Sequence, residues 1–385
     1  MTICRFEDAI NKQALALYGL RRRIEVRSPA ELPMAMDEIA ASQRDGHWVA
    51  LMLPYALGEW LEPGSQTAMA DVSESRLSAL VFERCEIEPL WEPPAPDQQC
   101  KIISVHPRVN FAQYGDSLAQ IKRWIEAGEV YQINHTFPLD VRIDGSTEAL
   151  YRTLINRHPA GHAAYISDQG RHILSFSPEL FLSRKGGKLT SRPMKGTAPR
   201  HVDPLKDMQA AQTLQASIKD RAENAMIVDL LRNDLGKLAR VGSVSVDKLF
   251  ELERYPSIWT MTSTISADIG QATLLDVLRA LFPCGSVTGA PKIAAMRQIR
   301  ELESTPRGLY CGSIGWCAPN GDFSLNVAIR TLVINADNHG TYGVGGGIVY
   351  DSDPTLEWLE CQWKSRIMST GSSTMWGETT PAFAS

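Results

Sequence analysis

Residues 343–364, GVGGGIVYDSDPTLEWLECQWK, place Gly343, Gly345, Gly346 and Gly347 within five positions and then turn at once into an acidic, aromatic helical pattern. Glycines inside a strand weaken its packing, so a run of them signals a bulge or a close approach by another backbone or a ligand; both readings stand at this level. Past them, Ser352 or Asp353 can cap a helix and Pro354 suits its first turn, which predicts a helix from about Pro354 to Ile367. Glu357 and Glu360 project from one face of it, with Lys364 four residues beyond Glu360. Trp358, Leu359 and Trp363 interleave with these acids and set them at the rim of a buried face, where an acid needs a partner.

A second acidic pair lies upstream. Residues 204–238 are predicted as one helix ending near Gly236, with Leu214, Ile218, Ala222, Ala225, Met226 and Leu230 along its apolar face. Asp220 and Glu223 repeat the three-residue spacing there. A single carboxylate on a helix is ordinarily solvated. Two such pairs brought together make an all-oxygen site suited to Mg²⁺, with a substrate oxyanion completing the shell. The histidines offer no competitor, because Pro-Ala-Gly between His158 and His162 reads as a turn.

Three further segments carry chemistry. FPCGSVTGAPK, residues 282–292, departs from a phosphate loop: Ala-Pro separates Gly289 from Lys292, and Ile293 stands where a Ser or Thr would hold Mg²⁺. It reads as a glycine-rich turn opening a helix, with N–H groups available to an anion. Lys195, in SRPMKGTAPR, is flanked by Arg192, Arg200, Pro193 and Met194. Like-charge repulsion and desolvation there would favour a neutral, nucleophilic amine, against the ordinary reading of a solvated lysine. Arg330, inside the strand-like NVAIRTLVI, calls for a carboxylate from the protein or from a ligand.

The chain as a whole has 385 residues, with 39 Lys plus Arg against 44 Asp plus Glu, a net charge of -5. Its 44% hydrophobic and 22% charged residues exclude a disordered, collagen-like or disulfide-scaffold chain. The absence of a basic excess argues against nucleic acid as a partner. Seven cysteines without C-x-x-C spacing fit a reducing compartment. No run approaches the roughly 18 apolar residues of a membrane span, and MTICRFEDAINKQ carries charges where a signal peptide needs an apolar core, so the expected location is cytoplasmic, away from membranes. Residues 48–60 and 77–90 read as strands. WEPPAPDQQ, residues 91–99, reads as a linker. These divide the chain into a β-rich region (1–99), a main region (100–368) and a fraying tail (369–385). At about 150 residues per domain, two or three domains would fit. Candidate site residues nevertheless run from Gln132 to Lys364, so most of the chain is expected to fold as one unit that the proline stretch merely crosses.

Taken together, FSPELFL, RPMKGTAPR, DRAENAMIVDLLRNDLGKL, FPCGSVTGAPK, RGLYCGSIGW, NVAIRTL and GVGGGIVYDSDPTLEWLE resemble the chorismate-utilising enzymes, in family order over roughly residues 100–368. The resemblance implies an α+β fold of two large, mostly antiparallel sheets packed together, with helices outside. It is closest to the branch that aminates chorismate at C4, because that branch carries a lysine where Lys195 stands. Gln132, in VYQINHT, matches the glutamine of ammonia-using members, where water-using members have a lysine base.

Carried over residue by residue, the resemblance implies Mg²⁺ on Glu223 and Glu360, with Asp220 and Glu357 in support, bridging to the ring carboxylate of chorismate. Tyr310 and Arg330 match residues that grip the other carboxylate. Thr197, Lys364 and the glycine turn Gly345, Gly346 and Gly347 join the substrate-binding set. Glu179 matches the general acid that protonates the departing C4 hydroxyl, and Lys195 the nucleophile that adds at C2. Ammonia is expected from a separate glutamine amidotransferase subunit, since no G-x-C-x-G elbow occurs. Rival readings are conversion of chorismate to anthranilate and a catalytically silent chorismate-binding protein. Two departures stand out: Thr260 replaces a histidine common in the family, and the first 100 residues lack a convincing tryptophan-binding motif.

Overall fold

A computed structural model describes residues 2–62, 64, 74–255 and 258–369. The tail from 370 onward, expected to fray, lies outside the described residues. Eighteen strands form one continuously hydrogen-bonded network, and every pairing among the described residues is antiparallel.

The network is a long strip. One arm runs from Ser245–Arg254 and Met194–Pro199, both paired to Ile258–Asp268, through Lys188–Arg192, Leu180–Lys185 and Phe323–Asn326 to Ser313–Cys317. Trp48–Leu53, Leu77–Glu88 and Gln13–Val26 carry it onward. The other arm continues through Ile3–Asp8, Ala163–Asp168, Arg171–Ser175, Thr331–Ile334 and His339–Ile348 to Gln132–Asp144 and Lys101–Pro107. The arms fold onto one another: one buried core contains Phe181, Leu189 and Ile265 from the first and Phe137, Leu139 and Val344 from the second. The two packed sheets expected from the sequence are thus two layers of a single α+β network.

Strand Gln132–Asp144 shows how sequence locates the site. Its outer end alternates, with Leu139, Val141 and Ile143 buried between exposed Asp140, Arg142 and Asp144. Its inner end, QINHTF, is buried at every position despite polar side chains. A strand covered on both faces normally reads as continuously apolar, so polar residues kept inside mark a functional region.

The proline stretch is held within the fold. Trp91 donates its backbone N–H to Glu7 (3.1 Å), its ring packs edge-on against Tyr151 and Tyr165, and the buried Arg5 guanidinium lies 4.8 Å over it. Strand Trp48–Leu53 is shorter than expected: Pro54 ends it, and Tyr55–Leu61 coils into a helical turn.

Two helical expectations change. Residues 204–238 form two helices, Pro204–Ala216 and Ile218–Gly236, because Ser217 takes an extended conformation and its hydroxyl accepts from Asp220 N–H. The buried face of the second helix is Asn224, Ile227, Val228, Leu231, Asp234 and Leu235, whereas Ile218 is exposed. Polar residues on that face mislead an apolar-pattern reading: Asn224 bonds Ser263 (2.6 Å) and Asp234 pairs with Lys292 (2.5 Å). The strand-like 326–334 run is also broken between Asn326 and Thr331, where the chain crosses from one arm to the other.

Candidate active site

The glycine strand, His339–Ile348, forms the floor of the site. It pairs with Gln132–Asp144 along its length without a register shift, so the glycines mark close approach and neither a bulge nor the expected turn. A Cβ at Gly343 would stand 2.2 Å from the Tyr310 ring, and one at Gly345 would stand 2.3 Å from the His135 carbonyl oxygen. At Gly347 a Cβ would meet Gln132 Nε2 at 2.6 Å and Lys195 Nζ at 2.9 Å. Tyr310, Gln132 and Lys195 therefore share one face of this strand, since side chains two apart point the same way. On the other face, a Cβ at Gly346 would lie 3.1 Å from Glu357 and 3.9 Å from Lys364 Nζ.

The helix Pro354–Ser365 follows directly. Asp353 caps it by accepting from Thr355 and Leu356 N–H groups, while the Ser352 hydroxyl donates to Glu357 at 2.7 Å. Burial raises the Glu357 carboxyl above the usual range, and Glu360 adds to the effect. Lys364 ion-pairs with Glu360 (2.7 Å) and donates to the Gly345 carbonyl (2.7 Å), tying the helix to the glycine strand. Its charge lowers Glu360.

Lys195 reaches the same cavity from the opposite arm. Its strand, Met194–Pro199, shifts register between Met194 and Thr197, and Gly196 adopts φ +83 against the Asp220 side chain. Such a bulge bends a strand and re-aims a side chain. Arg192 and Arg200 do not supply the expected like-charge repulsion: Arg192 is ion-paired with Glu253 and Arg200 with Asp207 (2.7 Å). The charged neighbour of Lys195 is Glu223, at 3.7 Å, itself 4.0 Å from Lys219. Thr260, fully buried, donates its hydroxyl to the Gly196 carbonyl (3.2 Å) and so steadies the lysine strand.

Glu179 is buried and accepts from the Ser286 hydroxyl at 2.8 Å. Burial pushes its carboxyl up to about 7, against the Ser286 bond and the Lys195 charge, which pull it down. A carboxyl poised near neutrality can act as a general acid. Gln132 is fully buried, yet neither atom of its amide has a hydrogen-bond partner among the described residues. Such a group costs free energy unless something else satisfies it.

Arg330 sits in the crossing with φ 49 and makes no ion pair or side-chain hydrogen bond among the described residues. Of the two partners expected for it, a protein carboxylate is therefore absent there. Thr197 is exposed and lines, with Asp220, His201 and Lys206, an adjoining cavity of about 530 Å³. Lys292 is no phosphate ligand: it is buried, paired with Asp234 and bonded to the Leu281 carbonyl (3.0 Å). Sequence reasoning gave no role to Ser286 or Lys219 and read Ser352 only as a candidate helix cap; Lys219, four residues before Glu223, had a local signal.

The donor set suits Mg²⁺. Glu223 and Glu360 offer carboxylates, both under the influence of Lys195 and Lys219. No three acidic, histidine or cysteine side chains cluster closely enough to share an ion among the described residues. Mg²⁺ does not require that, since it commonly takes one or two carboxylates, keeps several waters and binds substrate oxygens.

A sequence profile described as chorismate binding enzyme matches residues 18–370, and the chain belongs to that family. It is 41% identical over 250 residues to aminodeoxychorismate synthase component 1 of Salmonella typhimurium, covering 64% of this chain and 55% of that protein. It is 39% identical over 261 residues to anthranilate synthase component 1 of Streptomyces coelicolor, covering 67% and 51%. The chain spans about half the length of these curated relatives. The crystal structure of anthranilate synthase component I from Streptococcus pneumoniae superposes with a TM-score of 0.81 at 23% identity, over 94% of this chain and 93% of that one, which shows the shared fold.

Proposed function

We propose that the chain converts chorismate and ammonia to 4-amino-4-deoxychorismate and water. The carrying observation is the convergence of the Lys195 amine and the unpartnered Gln132 amide over Gly347. Arg330, without an ion pair among the described residues, and Tyr310 would grip one substrate carboxylate. Glu223 and Glu360, supported by Asp220 and Glu357, would hold Mg²⁺ against the other. Held there, Mg²⁺ would supply Lewis-acid withdrawal of charge from the ring.

Glu179 donates its proton to the C4 hydroxyl, which leaves as water while the Lys195 amine adds at C2. Ammonia then attacks C4, the C2–N bond to Lys195 breaks, the neutral amine returns to the protein, and the extra proton of the new C4 ammonium restores Glu179. Gln132 accepts an N–H hydrogen bond from ammonia without competing for its proton, because an amide is not a base at neutral pH. Ammonia would come from a glutamine amidotransferase subunit.

The similarity to both aminodeoxychorismate and anthranilate synthases keeps one alternative, anthranilate formation. Incubating the protein with chorismate, ammonium and Mg²⁺ and identifying the product by mass spectrometry separates them. Aminodeoxychorismate is the expected product; fluorescent anthranilate formed directly would defeat the reading, and binding without turnover would leave a silent chorismate-binding protein.

A further inference from the structure

The turn Cys284–Thr288 enters the site beside Glu179 and is built with unusual rigidity for a loop. Gly285 packs against helix Ile218–Gly236 so closely that a Cβ would stand 2.3 Å from Leu230, and the Thr288 hydroxyl donates to the Cys284 carbonyl at 2.8 Å. The turn carries the Ser286 hydroxyl 2.8 Å from Glu179 Oε1 and 3.2 Å from Cys284 Sγ. All three side chains are buried. From the other side, the Ser177 hydroxyl accepts from Glu179 N–H at 3.2 Å and donates to the Val327 carbonyl at 2.6 Å, which fixes the glutamate backbone.

We propose that Ser286 is a positioning residue that dictates which oxygen of Glu179 carries the transferable proton. A hydroxyl has one hydrogen to give. Donated to Oε1, it makes that oxygen an acceptor, and the proton of the neutral acid is confined to Oε2. No other side chain bonds this carboxyl among the described residues, although the Met194 backbone N–H also acts on it and, like Ser286, favours its ionised form. The reverse chain, with Oε1–H donating to Ser286 and Ser286 donating to Cys284, would leave the serine hydrogen on sulfur, a weak acceptor. Burial pushes the Cys284 thiol up to about 12, so it stays protonated and serves as the donor at the outer end of the chain. Among ionisable groups, the Lys195 charge lowers Glu179, and Glu179 in turn raises the Cys284 thiol.

This inference rests on Glu179 acting as the acid of the proposed reaction, and two readouts separate failure of one from failure of the other. In turnover, Ser286→Ala should lower kcat about ten- to a hundredfold, as for a slightly misplaced group, with KM within about twofold. It should also move the alkaline limb of the pH profile to higher pH, because a bond that favours the carboxylate is lost. Ser286→Thr should restore both. Independently of turnover, infrared pH-difference spectra should show a buried carboxyl C=O band that is absent in Glu179→Gln. That band should change frequency in Ser286→Ala and return in Ser286→Thr. A band indifferent to Ser286→Ala, or wild-type kcat and pH profile in that variant, overturns the assignment. A responsive band in a protein that yields no aminated product leaves the Ser286 contact standing and removes the proposed reaction.

Discussion

The glycine strand and the lysine strand line the same cavity with opposite backbones. His339–Ile348 is regular along its whole length, paired throughout on one edge and at residues 340–342 on the other, and removing side chains is what lets Tyr310, the His135 carbonyl and Gln132 come within van der Waals reach. Met194–Pro199 is irregular, bulged at Gly196, and aims a long charged side chain across the gap. One wall creates space and the other sends the Lys195 amine into it. The tolerance of each wall should therefore differ: the first to added volume, the second to lost chemistry.

The largest effect is expected on the lysine side. Lys195→Ala should slow amination about a thousandfold or more while leaving the thermal transition nearly unchanged, because the side chain is partly exposed and bonds no backbone group. Wild-type turnover in that variant would dissolve the contrast between the walls.

On the glycine side, Gly345→Ala and Gly347→Ala should part company. The new methyl at 345 meets a backbone carbonyl that cannot yield, so unfolding by denaturant should show a loss of ~3 kcal/mol. At 347 it meets the ends of the Gln132 and Lys195 side chains, which can move aside. Stability should change by less than about 1 kcal/mol, while kcat falls. Equal stability losses at the two positions would contradict the geometry.

A smaller effect follows from Glu179. Its folded-state carboxyl titrates near 7, above the ordinary glutamate value, so the folded protein binds the proton more tightly than the unfolded chain. That contribution is fully present below the unfolded value and is lost as pH rises through about 7. Glu179→Gln, which cannot ionise, should gain stability relative to wild type between pH 5 and pH 8, on the order of 2 kcal/mol. A pH-independent difference in calorimetric unfolding would remove this account of the buried acid.

Much of the site was legible because its signals are local. The Glu357, Glu360 and Lys364 face needs only helical spacing, and Lys364 does pair with Glu360. The glycine run announced a bulge or a close approach, and the unbroken register and short distances make it the latter. Where reading failed, the deciding partner was distant in the chain. Ser217 breaks a helix whose composition runs on without interruption, and buried Asn224 and Asp234 are satisfied by Ser263 and Lys292. The Arg192 and Arg200 charges, adjacent to Lys195 in sequence, are taken up by Glu253 and Asp207.

The sequence by itself determined the two acidic helical faces, the glycine run and the one lysine set between apolar and basic neighbours; the α+β class was implied by the resemblance of its motifs to a known family. Those features depend on repeats of two, three and four residues, which backbone geometry enforces without reference to the rest of the chain. Only the tertiary structure decided that Gln132, Lys195 and Gly347 share one cavity, that Ser286 reaches Glu179, and that Arg330 is left without a protein carboxylate among the described residues. Those facts arise from the register of antiparallel strands and from one strip folding over itself. A register shift of a single residue would turn the Gln132 and Lys195 side chains to the opposite face.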